Sequence, residues 1–543
     1  MKQTSKKFLA LTLATATTLS ALSMVACGDP EGPQDGQTVI RMTGWGDTYE
    51  TGIFQTMIDM FEEENPEYYV SYDPSGSDNY MIDLQNAIAS PGRREMPDVF
   101  YMADYEFMRF AYQTDIFEDL NPYIEASENL SRDDLYEESI TAYSFNEETQ
   151  TMGDPNGALY GLPKDLGPTV LAYNKEIATK AGITIDRTLA IGYDVTTKKL
   201  NDQIPMTWAQ YKRFLEDLQV AGKAETQNNK YYGAGSSSLE LLYNSTGKRF
   251  TSYDEATGKT TMNINNDDFA MTLQFIADME IQGLVASEET QRQKSGRDMF
   301  VMEEAATVFV GTWDTNSVWE ATFDWDILPT PVPSTATTNQ INDVTAPARE
   351  DCKNVTYLGS VCLSVFSGSK VKEGAYKLVE FLTTNQEAQK YNYEQGMAIP
   401  NRVSMMNEYM NATLADPMGM NRPQNRIVYK QQLENGSPRR MHAYTYNEGN
   451  AWTTKIHTNA NDAYHLDHVY IANNSIAAYA PNYIVFDWST GLLTQTPMSH
   501  DTNPKGTVLS GKAVLDYLSA SAQQVIDNSG DEYDWKWFKD YNN

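Results

Sequence analysis

The sequence predicts an α/β protein with mostly parallel sheets, divided into two or more lobes and exported from the cytoplasm. Three observations carry this expectation. Short β-type apolar runs alternate with stretches of helical periodicity over most of the chain. The chain has 543 residues, more than a single hydrophobic core accommodates. It opens on MKQTSKKFLALTLATATTLSALSMVAC, with Lys2, Lys6 and Lys7 ahead of an apolar and small-residue run from Phe8 to Val25. That order is a secretory signal, and the run is too short and too rich in Thr and Ser to be a permanent span.

Each element follows from local pattern. Gly28 to Gln37 is rich in Gly, Pro and acids and forms a flexible tether. Thr38 to Thr43 is a strand, broken by Gly44-Trp45-Gly46-Asp47. Ile53, Met57, Met60 and Phe61 share one helical face, and Asn65-Pro66 stops that helix. Tyr68 to Tyr72 is the next strand, Met81, Leu84, Ala87 and Ile88 mark the next helix, and Asp98 to Met102 is a third strand. The alternation resumes with a strand at Thr169 to Tyr173 and a short helix at Lys175 to Lys180, closed by Gly182. Trp208 to Val220 is amphipathic with Thr207 as its N-cap. A helix at Phe269 to Gln282, a buried strand at Ala305 to Val310 and another strand at Leu358 to Val365 come next. Gly374 to Lys390 reads as one long helix, and Val514, Leu518, Ser521 and Val525 mark a last one. Asp186 to Pro205 reads as an inserted hairpin or loop, and Arg422 to Asn503 is rich in Asn, Tyr and Pro with little periodicity.

Composition narrows the function. The formal net charge is −33, and loss of the three leader lysines makes the remainder more acidic still. Such a chain is repelled by nucleic acid and by anionic lipid, so neither is expected as a partner. No run after residue 27 approaches the roughly 20 apolar residues that span a bilayer. The three cysteines are Cys27, Cys352 and Cys362. Export permits a bridge between the last two, while the apolar run around Cys362 equally suits a buried thiol. Thirty-four Tyr and nine Trp are an unusual supply of side chains with an apolar face and a polar tip, apt for ligands that are half apolar and half hydroxyl, such as sugars.

Several blocks carry a family resemblance. Gly157 to Lys175 (GALYGLPKDLGPTVLAYNK), with Ala181-Gly182-Ile183 after it and Pro205-Met-Thr-Trp208 further on, resembles the extracellular solute-binding proteins of ABC transporters. The nearest group is the one that includes maltose-binding protein and other carbohydrate binders. Phe300 to Trp313 (FVMEEAATVFVGTW), Trp325 to Pro329, Gly359 to Ser369, Gly396 to Pro400 and Ser510 to Ile526 match later blocks in order. Glu303 stands where the family usually has Gly, and the Asp186–Pro205 and Arg422–Asn503 regions are enlarged. Met24-Val25-Ala26-Cys27 resembles a bacterial lipobox, with Met24 in place of the usual Leu, which implies a lipid on Cys27.

The resemblance implies a two-lobed periplasmic-binding-protein-like fold with hinge crossovers and a ligand cleft between the lobes. Residues 38–165 with about 358–420 would form one lobe, and about 166–357 with 421–543 the other. In α/β lobes ligands sit at the carboxyl ends of strands. That rule selects Trp45 and Asp47 after the first strand, Asp104 and Tyr105 after the third, and Lys164 and Asp165 after Leu162. The block resemblance adds Trp313 and Asp314, and Trp452 is a candidate platform for the second lobe. Aromatic faces stack on the C–H face of a pyranose, while carboxylates accept hydrogen bonds from its hydroxyls. Asp78 and Asn79 read as helix caps, and Trp208 as core.

The expected function is capture of a carbohydrate, an oligosaccharide by the size and aromatic content of the chain, and its delivery to the permease subunits of an ABC transporter. The protein would be a monomer tied through Cys27 to the outer face of a cell membrane, in a Gram-positive-type cell. The alternatives are a binding protein for another small polar solute and an extracellular glycoside-active enzyme, for which two spaced carboxylates suffice. Nothing in the sequence supports nucleophilic catalysis: there is no G-x-S-x-G, no H-E-x-x-H and no phosphate-cradling loop. His465-Leu-Asp-His468 offers only two weak metal ligands, so neither cofactor nor metal is expected.

Overall fold

The computed structural model describes residues 32–435 except 76, 104–106, 108–109, 112–114, 148–150, 153, 155, 249–250, 255–258, 315–317, 319–320, 336–341, 351, 353–356, 360 and 413–422, together with 437–438, 484–487, 492–495, 519–520 and 523. The leader with Cys27, Asp104, Tyr105, Trp452, both histidines of the His465–His468 pair and most of the last expected helix lie outside these residues.

Two sheets organise the chain. The first holds β1 (Thr38–Trp45), β2 (Tyr68–Ser75) and β3 (Val99–Ala103), with β1 parallel to both of the others. Two strands that arrive much later complete it. β4 (Leu162–Pro163) and β11 (Val361–Val365) extend the order to β2-β1-β3-β11-β4, and β11 runs antiparallel to both β3 and β4. The second sheet runs β7 (Tyr232–Ala234), β8 (Ala305–Val310), β6 (Val170–Asn174), β9 (Trp325–Leu328). Only β7 and β8 are parallel there; β6 is antiparallel to both neighbours. Each sheet is thus mostly co-directional, as expected, with one reversed strand: β11 in the first and β6 in the second. The reason is topological: a strand entering from the other lobe arrives in the opposite direction to strands built by local βαβ crossovers.

Between the sheets lies the crossover itself. β5 (Gly167–Pro168) pairs antiparallel with β10 (Tyr357–Gly359). The run Leu358 to Val365, expected as one strand, is two strands in different sheets, because Gly359 and Val361 fall on either side of the hinge. Local apolarity cannot reveal that break.

The helices bury the faces that their spacing announced. α1 (Thr48–Glu64) buries Ile53, Phe54, Met57, Ile58 and Phe61, a 3–4 residue stripe. It packs against α7 (Lys372–Thr384), where the Phe61 and Phe381 rings meet edge-on at 5.6 Å. Each such side chain contributes on the order of 1.5–3 kcal/mol on burial. The long helix expected over Gly374 to Lys390 is broken at Asn385, which ends α7 and caps α8 (Gln386–Glu394) by accepting from the Glu387 and Ala388 N–H groups. An Asn side chain that bonds nearby backbone competes with helix continuation. In the second lobe α3 (Lys175–Lys180) follows β6 directly, and α4 (Trp208–Thr226) starts from a capping box made by Thr207 and Gln210. Trp208 is fully buried and stacks on Phe275 of α5 (Asp267–Ile281) at 5.0 Å, so it is core as expected.

The chain returning after α8 covers the remaining surface of the second sheet. Ile399, Met405, Tyr409, Val428 and Tyr429 share a core cluster with Val170, Val308 and Ile327. The Asp186–Pro205 insert forms a small sheet in which Thr184–Ile185 pairs with Lys199–Leu200, and Lys199–Leu200 with Tyr193–Asp194. It is fastened by a two-pronged Arg187–Asp202 pair at 2.8 and 2.9 Å. No disulfide joins Cys352 and Cys362: both are thiols, and Cys362 is buried in β11.

Candidate functional site

The exits of β1, β3 and β8 meet around the crossover. Ala103 at the end of β3 pairs with Val361, and the Lys164 N–H donates to the Val361 carbonyl at 2.7 Å. Val310 at the end of β8 pairs with Val170, and the Thr312 hydroxyl donates to the Leu166 carbonyl at 2.9 Å. Leu166 stands only two residues beyond Lys164. The strand exits of both lobes therefore open on one cleft, with residues 164–168 along its floor.

On the first lobe the cleft edge is the turn Gly44-Trp45-Gly46-Asp47. Gly44 is required by close approach to a buried ring, while Gly46 leaves space for a flexible side chain. A Cβ on Gly44 would lie 2.6 Å from the Tyr101 ring, and one on Gly46 would lie 2.8 Å from the Glu50 carboxylate. Trp45 between them is half-buried, with T-shaped contacts to Tyr80 (4.8 Å) and Tyr101 (5.4 Å). The Tyr80 hydroxyl donates to the Tyr101 carbonyl at 2.8 Å, which locks the supporting pair. An indole held at its periphery and left partly exposed is a preformed stacking surface. Asp47 caps α1: its Oδ1 accepts from the Tyr49 and Glu50 N–H groups at 2.9 and 2.8 Å. The carboxylate is exposed, and Oδ2 carries no partner among the described residues.

Lys164 has a different place from the one expected. Its ammonium is 4 % exposed and lies 2.7 Å from Glu50 Oε1 and 2.5 Å from Asp165 Oδ2. It also sits over the Phe54 and Tyr101 rings at 5.1 and 5.4 Å. Burial alone would lower its pKa, but the Asp165 and Glu50 carboxylates outweigh that and hold it above the usual lysine range. This side chain is buried and paired with two carboxylates inside the protein rather than exposed at the cleft surface. Asp165 uses its second oxygen as well, with Oδ1 accepting from the Val361 N–H at 3.3 Å.

On the second lobe, Trp313 lies in the turn Thr312–Asp314 directly after Gly311 at the exit of β8. Asp314 closes that turn by accepting the Gly311 N–H at 3.3 Å, and its other oxygen takes a hydrogen bond from Arg297 of α6 (Gly296–Val301) at 3.1 Å. Before β8, Glu303 has φ +55°. That is the left-handed conformation a glycine adopts without cost, which explains the residue the family prefers there. α2 (Ser77–Ala89) begins one residue before Asp78, so Asp78 and Asn79 fall in its first turn.

The structure thus gathers Trp45, Asp47, Lys164 and Asp165 at one edge and the Trp313–Asp314 turn at the other. Sequence reasoning missed Glu50, Tyr80, Tyr101 and Arg297. The glycine on either side of Trp45 was the only available signal for the first three. A second cavity of about 280 Å³ lies under α2, lined by Arg41, Asp73, Asp83, Leu84 and Glu95 among others, and it shares Tyr80, the ring that supports Trp45, with this set.

Residues 46–389 match the family described as bacterial extracellular solute-binding protein. The chain belongs to that family. It is accordingly an exported protein of a substrate-binding family. Among characterised relatives, the arabinooligosaccharide-binding protein of Bacillus subtilis is 28% identical over 296 residues, 51% of this chain and 55% of the relative; the chain spans about half the length of the curated relative it matches. Among solved structures, an ABC substrate-binding protein from Listeria monocytogenes in complex with cycloalternan superposes with a TM-score of 0.60 at 17% identity, covering 90% of this chain and 99% of that one. UgpB from Mycobacterium tuberculosis in complex with glycerophosphocholine gives 0.57 at 14%, covering 91% and 100%. The fold is the two-lobed one that these family members share, with the cleft between its lobes.

Proposed function

We propose that this protein captures a carbohydrate, specifically an oligosaccharide, and delivers it unchanged to the permease subunits of an ABC transporter. The observation that carries the reading is the half-exposed Trp45 platform, braced by Tyr80 and Tyr101 at a strand exit. Asp47, with one oxygen uncommitted, supplies an acceptor for sugar hydroxyls. The sugar ligands of the Bacillus and Listeria relatives support the choice of class. Asp104, Tyr105, Asp165, Trp313, Asp314 and Trp452 complete the proposed site, with Asp165 and Asp314 acting from turns they hold together.

The proposed lobes are residues 38–165 with about 358–392, and 166–357 with the chain from about 393 onward, a division supported by Tyr393, Ile399, Met405, Tyr409, Val428 and Tyr429, which share a core cluster with strands of the second sheet. Ligand contacting both lobes would favour the closed form. Cys27, lipidated after cleavage of the leader, tethers the monomer through Gly28–Gln37 at the outer membrane face of a Gram-positive-type cell, within reach of its permease.

The test is calorimetry and thermal shift on the purified chain with arabino-, malto- and cyclic gluco-oligosaccharides, and glycerophosphocholine as the non-sugar arm. Binding of a sugar raises the melting temperature by mass action, and the sugar is recovered intact. Release of shortened sugars would replace this reading with the glycosidase one, and a response to glycerophosphocholine alone would replace the ligand class.

A further inference from the structure

We propose that Glu50, Lys164 and Asp165 form a positioning cluster that fixes the Trp45 turn to the root of the hinge, so that the platform keeps one orientation as the lobes move. The inference rests on the cleft reading above. Lys164 lies at the exit of β4, where the chain leaves the first lobe, and Asp165 is the next residue along the crossing strand. Asp165 faces back into the first lobe. One oxygen meets the Lys164 ammonium at 2.5 Å, and the other accepts the N–H of Val361, where the second crossing strand enters. Together with the Lys164 N–H to Val361 carbonyl bond, this clamps both crossings to each other at their first-lobe ends.

The third member reaches the platform. Glu50 belongs to the first turn of α1, which Asp47 caps, and Gly46 leaves room for its carboxylate. Lys164 also lies over Tyr101, which packs against both Gly44 and Trp45. One buried ammonium therefore touches the helix start, the ring behind the tryptophan and the hinge strand. A buried charge with this many partners resists small displacements, because every movement unpairs something in a low-dielectric setting.

Stability and positioning separate in two variants. Lys164→Met leaves two carboxylates facing each other and lowers the melting temperature. The triple variant Glu50→Gln, Lys164→Met, Asp165→Asn removes all three charges and restores it, since a whole ion cluster is often replaceable by neutral groups. Spin labels at Ile82→Cys and Val220→Cys, both exposed and on opposite lobes, in a Cys352→Ser background read the interlobe distance of the full chain without ligand. The expected result is a broadened distance distribution in both variants, an affinity for the bound sugar reduced about tenfold in both, and recovery with Lys164→Arg. A triple variant with native distance distribution and native affinity would overturn the proposal and leave the cluster a purely structural one. The ligand-free distance arm decides this even if the sugar assignment itself fails.

Discussion

The two edges of the cleft are built from similar parts and held by different means. On the first lobe, a Gly-Trp-Gly-Asp turn is backed by buried Tyr80 and Tyr101 and by an ammonium that is 4 % exposed. On the second, a Gly-Thr-Trp-Asp turn is closed by an Arg297–Asp314 pair whose side chains are 40 % and 24 % exposed. Charges in the first setting interact in a poorly screened interior, whereas those in the second are largely screened by water. The pairing at the first edge is accordingly the more costly of the two to disturb.

The largest effect expected to test this contrast is on binding. Trp45→Ala lowers sugar affinity by about 100-fold, roughly 2.7 kcal/mol, with the fold intact by circular dichroism; calorimetry against Trp313→Ala ranks the two platforms, and equal losses would remove the contrast. Next comes Gly44→Ala, which drives a methyl into the Tyr101 ring and costs about 1–3 kcal/mol of stability by overpacking, read from chemical denaturation. If its midpoint is native, the turn is looser than described.

A pH series follows. Lys164 has a raised pKa in the folded state, so its stabilising share is fully present below the unfolded-chain value of about 10.4 and is lost as pH rises through the higher folded value. Thermal melts of the native chain against Lys164→Met should differ by a constant amount from pH 6 to pH 9 as far as this group is concerned and converge only in strong alkali. Arg297→Ala is smaller, about 0.2–1 kcal/mol and reduced further by salt. A salt-independent loss larger than that would place the second edge in the same class as the first. The smallest is Glu303→Gly, which relieves a left-handed backbone and raises stability by about 0.5–1 kcal/mol without touching affinity.

Much of the fold was legible because its determinants are local. The apolar stripe of α1, the Thr207 N-cap, the Lys175–Lys180 helix and the Ala305–Val310 strand are written in adjacent residues and emerge where expected. The tight turn at Trp45 was legible for a related reason, since flanking glycines mark a place where other groups crowd the backbone. The misread elements depend on distant partners. Leu358 to Val365 is apolar throughout, yet splits between sheets because β5 and β3 claim different halves of it. Lys164 looked like a ligand contact because it follows a strand exit; Glu50, its partner 114 residues earlier, gave no sign of where it would lie.

The sequence by itself determined the alternation of elements and the family, because periodicity, capping and ordered motif blocks act over a few residues at a time. Only the tertiary structure decided which charges are neutralised, which strands run antiparallel and which rings brace Trp45. Those outcomes depend on groups brought together across more than a hundred residues, where burial removes the water that would otherwise make the pairing optional.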